Sequence, residues 1–284
     1  MNTQSAARFS GSIPETYHTH IGPLFFEPYA TDLVARLALP AGTGGRILEL
    51  AAGTGILTRR LRERAPEREI VATDLNDAML EVARKRVGAV AGLEWRQADA
   101  TALPFPDESF DAVICQFGLM FFPDKLLAAQ EALRVLRPAG QFLFNLWASL
   151  EENPLARTAH ETIECFFRSD PPEFYLVPFG FHDTAAIRTI LERAGFDEID
   201  ISAVRFEAEA PSALHAATGL VRGSPVFNAI GEKGGDPDAI VAAIAAALAK
   251  AYEDRPLRVP MCANVFSARR PGPGVRDQDS GVRA

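Results

Sequence analysis

The chain has 284 residues, 48% hydrophobic and 23% charged, enough for one large α/β domain or at most two, which excludes wholesale disorder. A net charge of −8 with no basic stripe to offset it repels a phosphate backbone, so nucleic acid is not expected as a partner. Three scattered cysteines, Cys115, Cys165 and Cys262, show no metal spacing and argue against a disulfide framework or a zinc site.

The first residues carry no apolar run of signal-peptide type, and the longest apolar stretch, Ile240 to Ala249, is too short to span a bilayer. A cytoplasmic location without a membrane span is the expectation. Residues 1–40 read as an amino-terminal helical segment that closes over a site. Within it, Leu33, Val34, Leu37 and Ala38 give Tyr29 to Leu39 a helical spacing, ended by Pro40 and a glycine-rich run.

From Arg46 the pattern becomes regular. Arg46 to Ala51 is a short apolar run between glycines, hence a buried strand. A helix is expected from Ile56 to Arg64, and a strand from Ile70 to Thr73 that ends in Asp74. Asn76 caps a helix through Val87, whose apolar face holds Met79, Val82 and Ala83. Strands follow at Leu93 to Gln97 and Asp111 to Gln116, then a helix from Asp124 to Leu136 and a strand from Gln141 to Trp147. Strand–helix alternation with short connections gives an α/β fold, a parallel sheet with helices on both faces.

Beyond Trp147 the pattern changes. Residues 151–182 are aromatic and proline-rich with poor periodicity. A helix is expected from Thr184 to Ala194, stopped by Gly195, then a strand near Phe196 to Phe206. Residues 211–256 are alanine-rich and helical, with a clean start at Asp236–Pro237, and Val259 to Ala268 reads as a last strand. The expected plan is one domain over residues 41–270, with insertions at about 150–183 and 211–256 that form a partly helical roof. Residues 271–284 are expected to be a disordered tail.

The chemistry gathers at strand ends. Glu49-Leu-Ala-Ala-Gly53-Thr-Gly55 stands where a strand turns into a helix, and glycines there let a ligand approach the backbone. The dinucleotide pattern would place a third glycine where Thr58 stands, and Glu49 would repel a pyrophosphate. The turn suits a ligand with a cationic amino-acid part, namely S-adenosylmethionine (SAM). Asp74, at the end of the next strand, can accept both ribose hydroxyls. Asp99 can take the adenine amine. Gln116 and Phe117 end the fourth strand, facing the methyl donor's sulfur and the acceptor.

The segments ILELAAGTGILTRRL, ATDLNDAMLEVARKR, QADATALPFPDESFDAVICQFGLMFFPD and EALRVLRPAGQFLF resemble successive motifs of class I SAM-dependent methyltransferases, a Rossmann-like fold. Within that family the chain looks most like the ubiquinone/menaquinone-biosynthesis subgroup, over about residues 40–147. The resemblance implies methyl transfer from SAM, leaving S-adenosylhomocysteine (SAH), to a small molecule, with no metal. It implies that Glu49, Ala51, Gly53 and Gly55 border the methionine moiety, that Asp74 and Leu75 bind ribose, and that Asp99 and Ala100 bind adenine. Gln116 would lie on the methionyl side, and Met79 can either pack in the core or touch adenine.

Tyr17 and Tyr29 are candidates to cover the methionine end, and His18 and His20 to act as a base. Phe121, Trp147, Phe179 and His182 are candidates to line the acceptor pocket, with Phe174, Tyr175 and Phe181 also on the roof. An aromatic roof favours an apolar or aromatic acceptor. A general base is optional here, because the donor is already activated. Self-association as a homodimer stays open. The main alternative is a SAM-binding regulatory or partner protein without turnover. A nicotinamide oxidoreductase is disfavoured by Thr58 and Glu49. A base-methylating enzyme is disfavoured by CQFGLMFFPD after the fourth strand, and an aminopropyl transferase by the lack of acids there.

Overall fold

A computed structural model describes residues 13–39 and 44–272. Pro40 and the first glycine after it, and the expected tail beyond residue 272, lie outside the described residues. A seven-stranded sheet runs in the order β3-β2-β1-β4-β5-β7-β6. Its strands are β1 (Arg46–Leu50), β2 (Glu69–Asp74), β3 (Leu93–Gln97), β4 (Phe110–Gln116), β5 (Leu136–Trp147), β6 (Asp197–Ala210) and β7 (Leu257–Arg269). The first five are parallel; β7 pairs antiparallel with β5, and β6 antiparallel with β7. The parallel part is as expected, while the last two strands reverse direction.

Helices α3 (Ile56–Arg64), α4 (Asp77–Val87) and α5 (Lys125–Val135) connect the parallel strands. Two of them start where side-chain caps dictate. Asn76 accepts a hydrogen bond from the Ala78 amide, and Asp124 from the Leu127 amide. The strand order reverses at β1: β2 lies on one side and β4 on the other, so the connections on the two sides leave a crevice at the strands' carboxyl ends. Register places Glu49 beside Ala72 and Ile114, and Gln116 beside Asn145, so these chain segments reach the same edge together.

Three features depart from the sequence pattern. Among the described residues the helical run before β1 comprises α1 (Ile13–Thr16), a π-helix over Tyr17–Phe26 and α2 (Glu27–Ala35). A π-helix carries more than 3.6 residues per turn, so its buried Ile21, Leu24, Phe25 and Phe26 do not follow the α-helical period. Residues 151–182 contain a full helix, α6 (Pro154–Cys165), as well as the short α7 (Leu176–Gly180). Asn153, fully buried, fixes the start of α6. Its side-chain amide donates to Ser149 and Cys262 carbonyls at 2.9 and 3.0 Å, and its Oδ1 accepts the Cys262 amide at 3.1 Å. That anchor is tertiary and invisible to local pattern. The expected β5 start at Gln141 moves back to Leu136, paired with Phe110.

Helix α8 (Thr184–Ala194) begins at its Asp183 cap and ends at Gly195, whose φ of 101° favours glycine. The alanine-rich stretch resolves into α9 (Ala213–Arg222), α10 (Val226–Glu232) and α11 (Pro237–Ala251), the last capped by Asp236. No helix among the described residues is long and apolar enough to cross a membrane.

Candidate functional site

Two cavities adjoin at the carboxyl ends of β1 and β4. The first is a cleft of about 290 Å³, part of it open to solvent, lined by the glycine turn (Ala51, Ala52, Gly53, Thr54) with Glu49, Gln116, Tyr17 and Phe26. The second is a cleft of about 530 Å³, part of it open to solvent, and its lining is mostly aromatic, including Phe25, Phe117, Phe121, Trp147, Phe174 and Phe179. Tyr17 and Phe26 line both, their rings stacked with centroids 4.9 Å apart. They form the shared wall. Gln116 secures it, donating from Nε2 to the Phe26 carbonyl at 2.8 Å and so tying the π-helix to the end of β4.

The first cavity is held by carboxylates. Asp74 Oδ2 accepts the Gly53 amide at 2.9 Å and Oδ1 the Asn76 amide at 2.8 Å, so one side chain links the glycine turn to the end of β2. Glu49 accepts the Thr58 hydroxyl at 2.6 Å, and its carbonyl accepts the Thr73 hydroxyl at 2.8 Å. Burial pushes the Glu49 carboxyl up to about 8, against the Thr58 hydrogen bond, with the Asp74 charge adding to the rise. Burial also raises Asp74, opposed by the amides of Asn76, Gly53 and Leu75. Tyr17 is raised by burial and then by the Asp74 charge, so its hydroxyl stays protonated. Two carboxyl groups held above their usual range make a site that a cation would relieve.

The two glycines of the turn do different work. A Cβ on Gly55, at φ 83°, would meet Val87, Trp95 and Ala83 side-chain atoms at 3.0 to 3.2 Å, so this glycine serves packing against α4 and β3. A Cβ on Gly53, at φ 57°, would meet nothing nearer than Met79 Cε at 3.6 Å. Gly55→Ala is therefore expected to cost about 2–3 kcal/mol of stability and Gly53→Ala about 1 kcal/mol, measured by denaturant unfolding. Equal costs would contradict this division.

In the second cavity Phe117 has φ 50° and is fixed through its amide, which bonds to Asn145 O at 3.2 Å and Asn145 Oδ1 at 3.0 Å. Its ring stacks on Trp147 at 3.8 Å, and Trp147 stacks in turn on Phe179 at 5.6 Å. Among the described residues the cavity lining contains no carboxylate, lysine, arginine or histidine.

The sequence candidates divide accordingly. Glu49, Ala51, Gly53, Gln116 and Tyr17 line the first cavity; Phe117, Phe121, Trp147 and Phe179 line the second. Leu75 is exposed beside Asp74, Met79 lies under Gly53, and Ala100 is buried. Asp99 is exposed, accepting the Thr101 amide and hydroxyl at 2.8 and 2.7 Å.

Others are placed elsewhere. Tyr29 does not cover the first cavity: it is buried behind the aromatic wall, edge-on to Phe117, Trp147 and Phe206, because α2 turns it into the core. Nor do three histidines line the aromatic cavity. His18 Nδ1 bonds to Thr54 Oγ1 at 3.0 Å, and its pKa is lowered by burial first and by Arg86 second. His20 stacks on His215 with centroids 4.4 Å apart, and His182 Nδ1 bonds to the Phe179 carbonyl at 2.8 Å. Phe26 and Thr54 were missed as site residues. Thr54 could have been found between the two glycines; Phe26 stands in an aromatic run before the first strand, but it is the π-helix that places it on the wall.

The methyltransferase domain family matches residues 48–144. The chain is 31% identical over 175 residues to the ubiquinone/menaquinone biosynthesis C-methyltransferase UbiE of Idiomarina loihiensis, spanning 55% of this chain and 68% of that protein. It is 50% identical over 100 residues to the demethylmenaquinone methyltransferase of Thermus thermophilus, spanning 34% of this chain and 45% of that one. Across the first such relatives, the matched part covers between 41% and 68% of their own lengths. The fold is similar to that of phosphoethanolamine N-methyltransferase 2 of Haemonchus contortus solved with SAM. There the TM-score is 0.59 at 19% identity, over 91% of this chain and 56% of that one. The chain belongs to the class I SAM-dependent methyltransferase family.

Proposed function

We propose that the protein methylates a ring carbon of an electron-rich, quinone-type aromatic small molecule, which lies in the aromatic cavity while the methyl donor lies in the first. The observation that carries this is the shared wall: Tyr17 and Phe26 bound both cavities, so occupants of the two meet there. The names of the relatives, a C-methyltransferase and a demethylmenaquinone methyltransferase, support the ring carbon and the acceptor class.

SAM fits the first cavity on its donor set. Glu49 faces the amino-acid end with a carboxylate that a cation would relieve, and the turn at Gly53 leaves no side chain in the way. Asp74 keeps unused lone pairs for ribose hydroxyls, and Leu75, 61% exposed, offers an apolar face for adenine. Gly53→Ala is thus expected to weaken SAM more than it weakens the fold. When bound, SAM supplies an activated methyl group on its sulfonium. The chain's own residues orient the acceptor and exclude water: Phe117 and Trp147, already stacked and fixed by Asn145, present flat faces to an aromatic ring. With no carboxylate or histidine lining the cavity among the described residues, an acceptor whose hydroxyls already enrich the ring in electrons is favoured. We place the reaction in the cytoplasm, a reading supported by three unpaired cysteines.

The test is incubation with methyl-labelled SAM and, in separate reactions, a naphthohydroquinone bearing a free ring carbon and phosphoethanolamine. Label on a ring carbon of the hydroquinone, located by mass spectrometry, is the expected result. Label only on phosphoethanolamine, or on neither while SAM binds, would overturn the acceptor class.

A further inference from the structure

Two hydroxyl side chains besides Tyr17 line the aromatic cavity, Tyr175 and Ser224. Tyr175, just ahead of α7, donates its hydroxyl to the Leu220 carbonyl at 2.9 Å. Ser224, just past α9, donates to the same carbonyl at 2.7 Å. Tyr175 is 4% exposed and Ser224 5%, and both line the cavity with Leu220 and Gly223. Among the described residues these are the lining's hydroxyl side chains apart from Tyr17 on the shared wall, and Trp147 adds an indole N–H.

The bonding pattern dictates what such a pair can recognise. A hydroxyl has one proton and two lone pairs, so a hydroxyl whose proton is committed acts toward a ligand as an acceptor. Leu220 lies in the last turn of α9, where carbonyls run out of helical partners and the helix end carries partial negative charge. Two hydroxyl oxygens and a helix carboxyl end therefore meet in one apolar enclosure. Burial keeps Tyr175 protonated, since it raises the phenol well above its usual value against the opposing contact with the Ser224 hydroxyl. The local potential favours a neutral O–H donor and opposes an anion, which would face three oxygens and no cation.

We propose that Tyr175 and Ser224 anchor the acceptor by accepting a hydrogen bond from a neutral ring hydroxyl, and that they exclude carboxylate-bearing analogues from the cavity. Anchoring there leaves the ring in the enclosure that Phe117, Trp147 and Phe179 also line, together with the wall shared with the donor cavity. The proposal rests on the aromatic cavity being the acceptor site. It gives selectivity for hydroxylated rings over bare or acidic ones, independent of the methyl transfer itself.

The test is equilibrium titration of the SAH-loaded protein with 1-naphthol, naphthalene and 1-naphthoate, in wild type and in Tyr175→Phe and Ser224→Ala. Wild type is expected to prefer naphthol over naphthalene by about 10-fold and to bind naphthoate least. Each variant is expected to lose most of the naphthol preference while its naphthalene and SAH affinities stay as they were. A preference that survives in both variants, or naphthoate binding as well as naphthol, overturns the anchor. If Tyr175→Phe does not fold, an unchanged ratio in Ser224→Ala is enough to overturn it. Binding of SAH with no naphthyl compound binding at all removes the acceptor-site reading itself, and the anchor with it.

Discussion

Asp74→Ala is expected to weaken SAM and SAH binding at least ~100-fold, from the loss of two hydrogen bonds to a charged acceptor. Calorimetric titration measures this directly. The reason lies in how the carboxylate is already used. Its two oxygens accept the Gly53 and Asn76 amides, one each, which fixes both oxygens in position. Two ribose hydroxyls would meet a preorganised acceptor rather than a mobile side chain. The same substitution leaves those two amides without partners, so the free protein should also lose about 1–3 kcal/mol of stability. Asp74→Asn does not rescue binding: an amide nitrogen would face one of the two backbone N–H groups, donor against donor. The circular dichroism of the sheet should be preserved in both variants, which separates lost binding from lost fold. Affinity within threefold of wild type would place the ribose elsewhere.

The part of this site built by local rules could be read in the sequence. The glycine turn, the Asn76 cap and the run of strands ending in Glu49, Asp74 and Gln116 follow from short-range periodicity and turn chemistry. Parallel register then carries those strand ends to one edge without further information. Local pattern failed where distant contacts decide. The π-helix hides the wall residue Phe26, and α6 starts where Asn153 bonds to Cys262, more than a hundred residues away. Tyr29 shows the opposite error. Its position before the first strand suggested a lid, but α2 continues directly from the π-helix and turns it inward against Phe117 and Phe206. The hydroxyl pair of the aromatic cavity joins Tyr175, ahead of α7, to Leu220 and Ser224 at the end of α9, and no spacing in the chain announces it.

Glu49→Gln is expected to make the free protein more stable in alkali while weakening SAM about 100-fold. Glu49 is 1% exposed, and burial sets its folded pKa at about 8, against an ordinary value of 4.5. A carboxyl raised on folding contributes stability that is fully present below pH 4.5 and lost as pH rises through about 8. Glutamine has no such titration, so unfolding midpoints of variant and wild type should diverge across this window, in the variant's favour at pH 9. Bound SAM reverses the preference. The ammonium of its amino-acid end favours the ionised carboxylate, so binding to wild type should release up to about one proton near pH 7. Titration in two buffers of different ionisation enthalpy measures that release, and Glu49→Gln should abolish it. Affinity should accordingly rise with pH toward 8 in wild type and stay flatter in the variant. Proton release of zero, with equal pH profiles for both proteins, would mean that Glu49 stays protonated beside the ligand and only holds Thr58 in place.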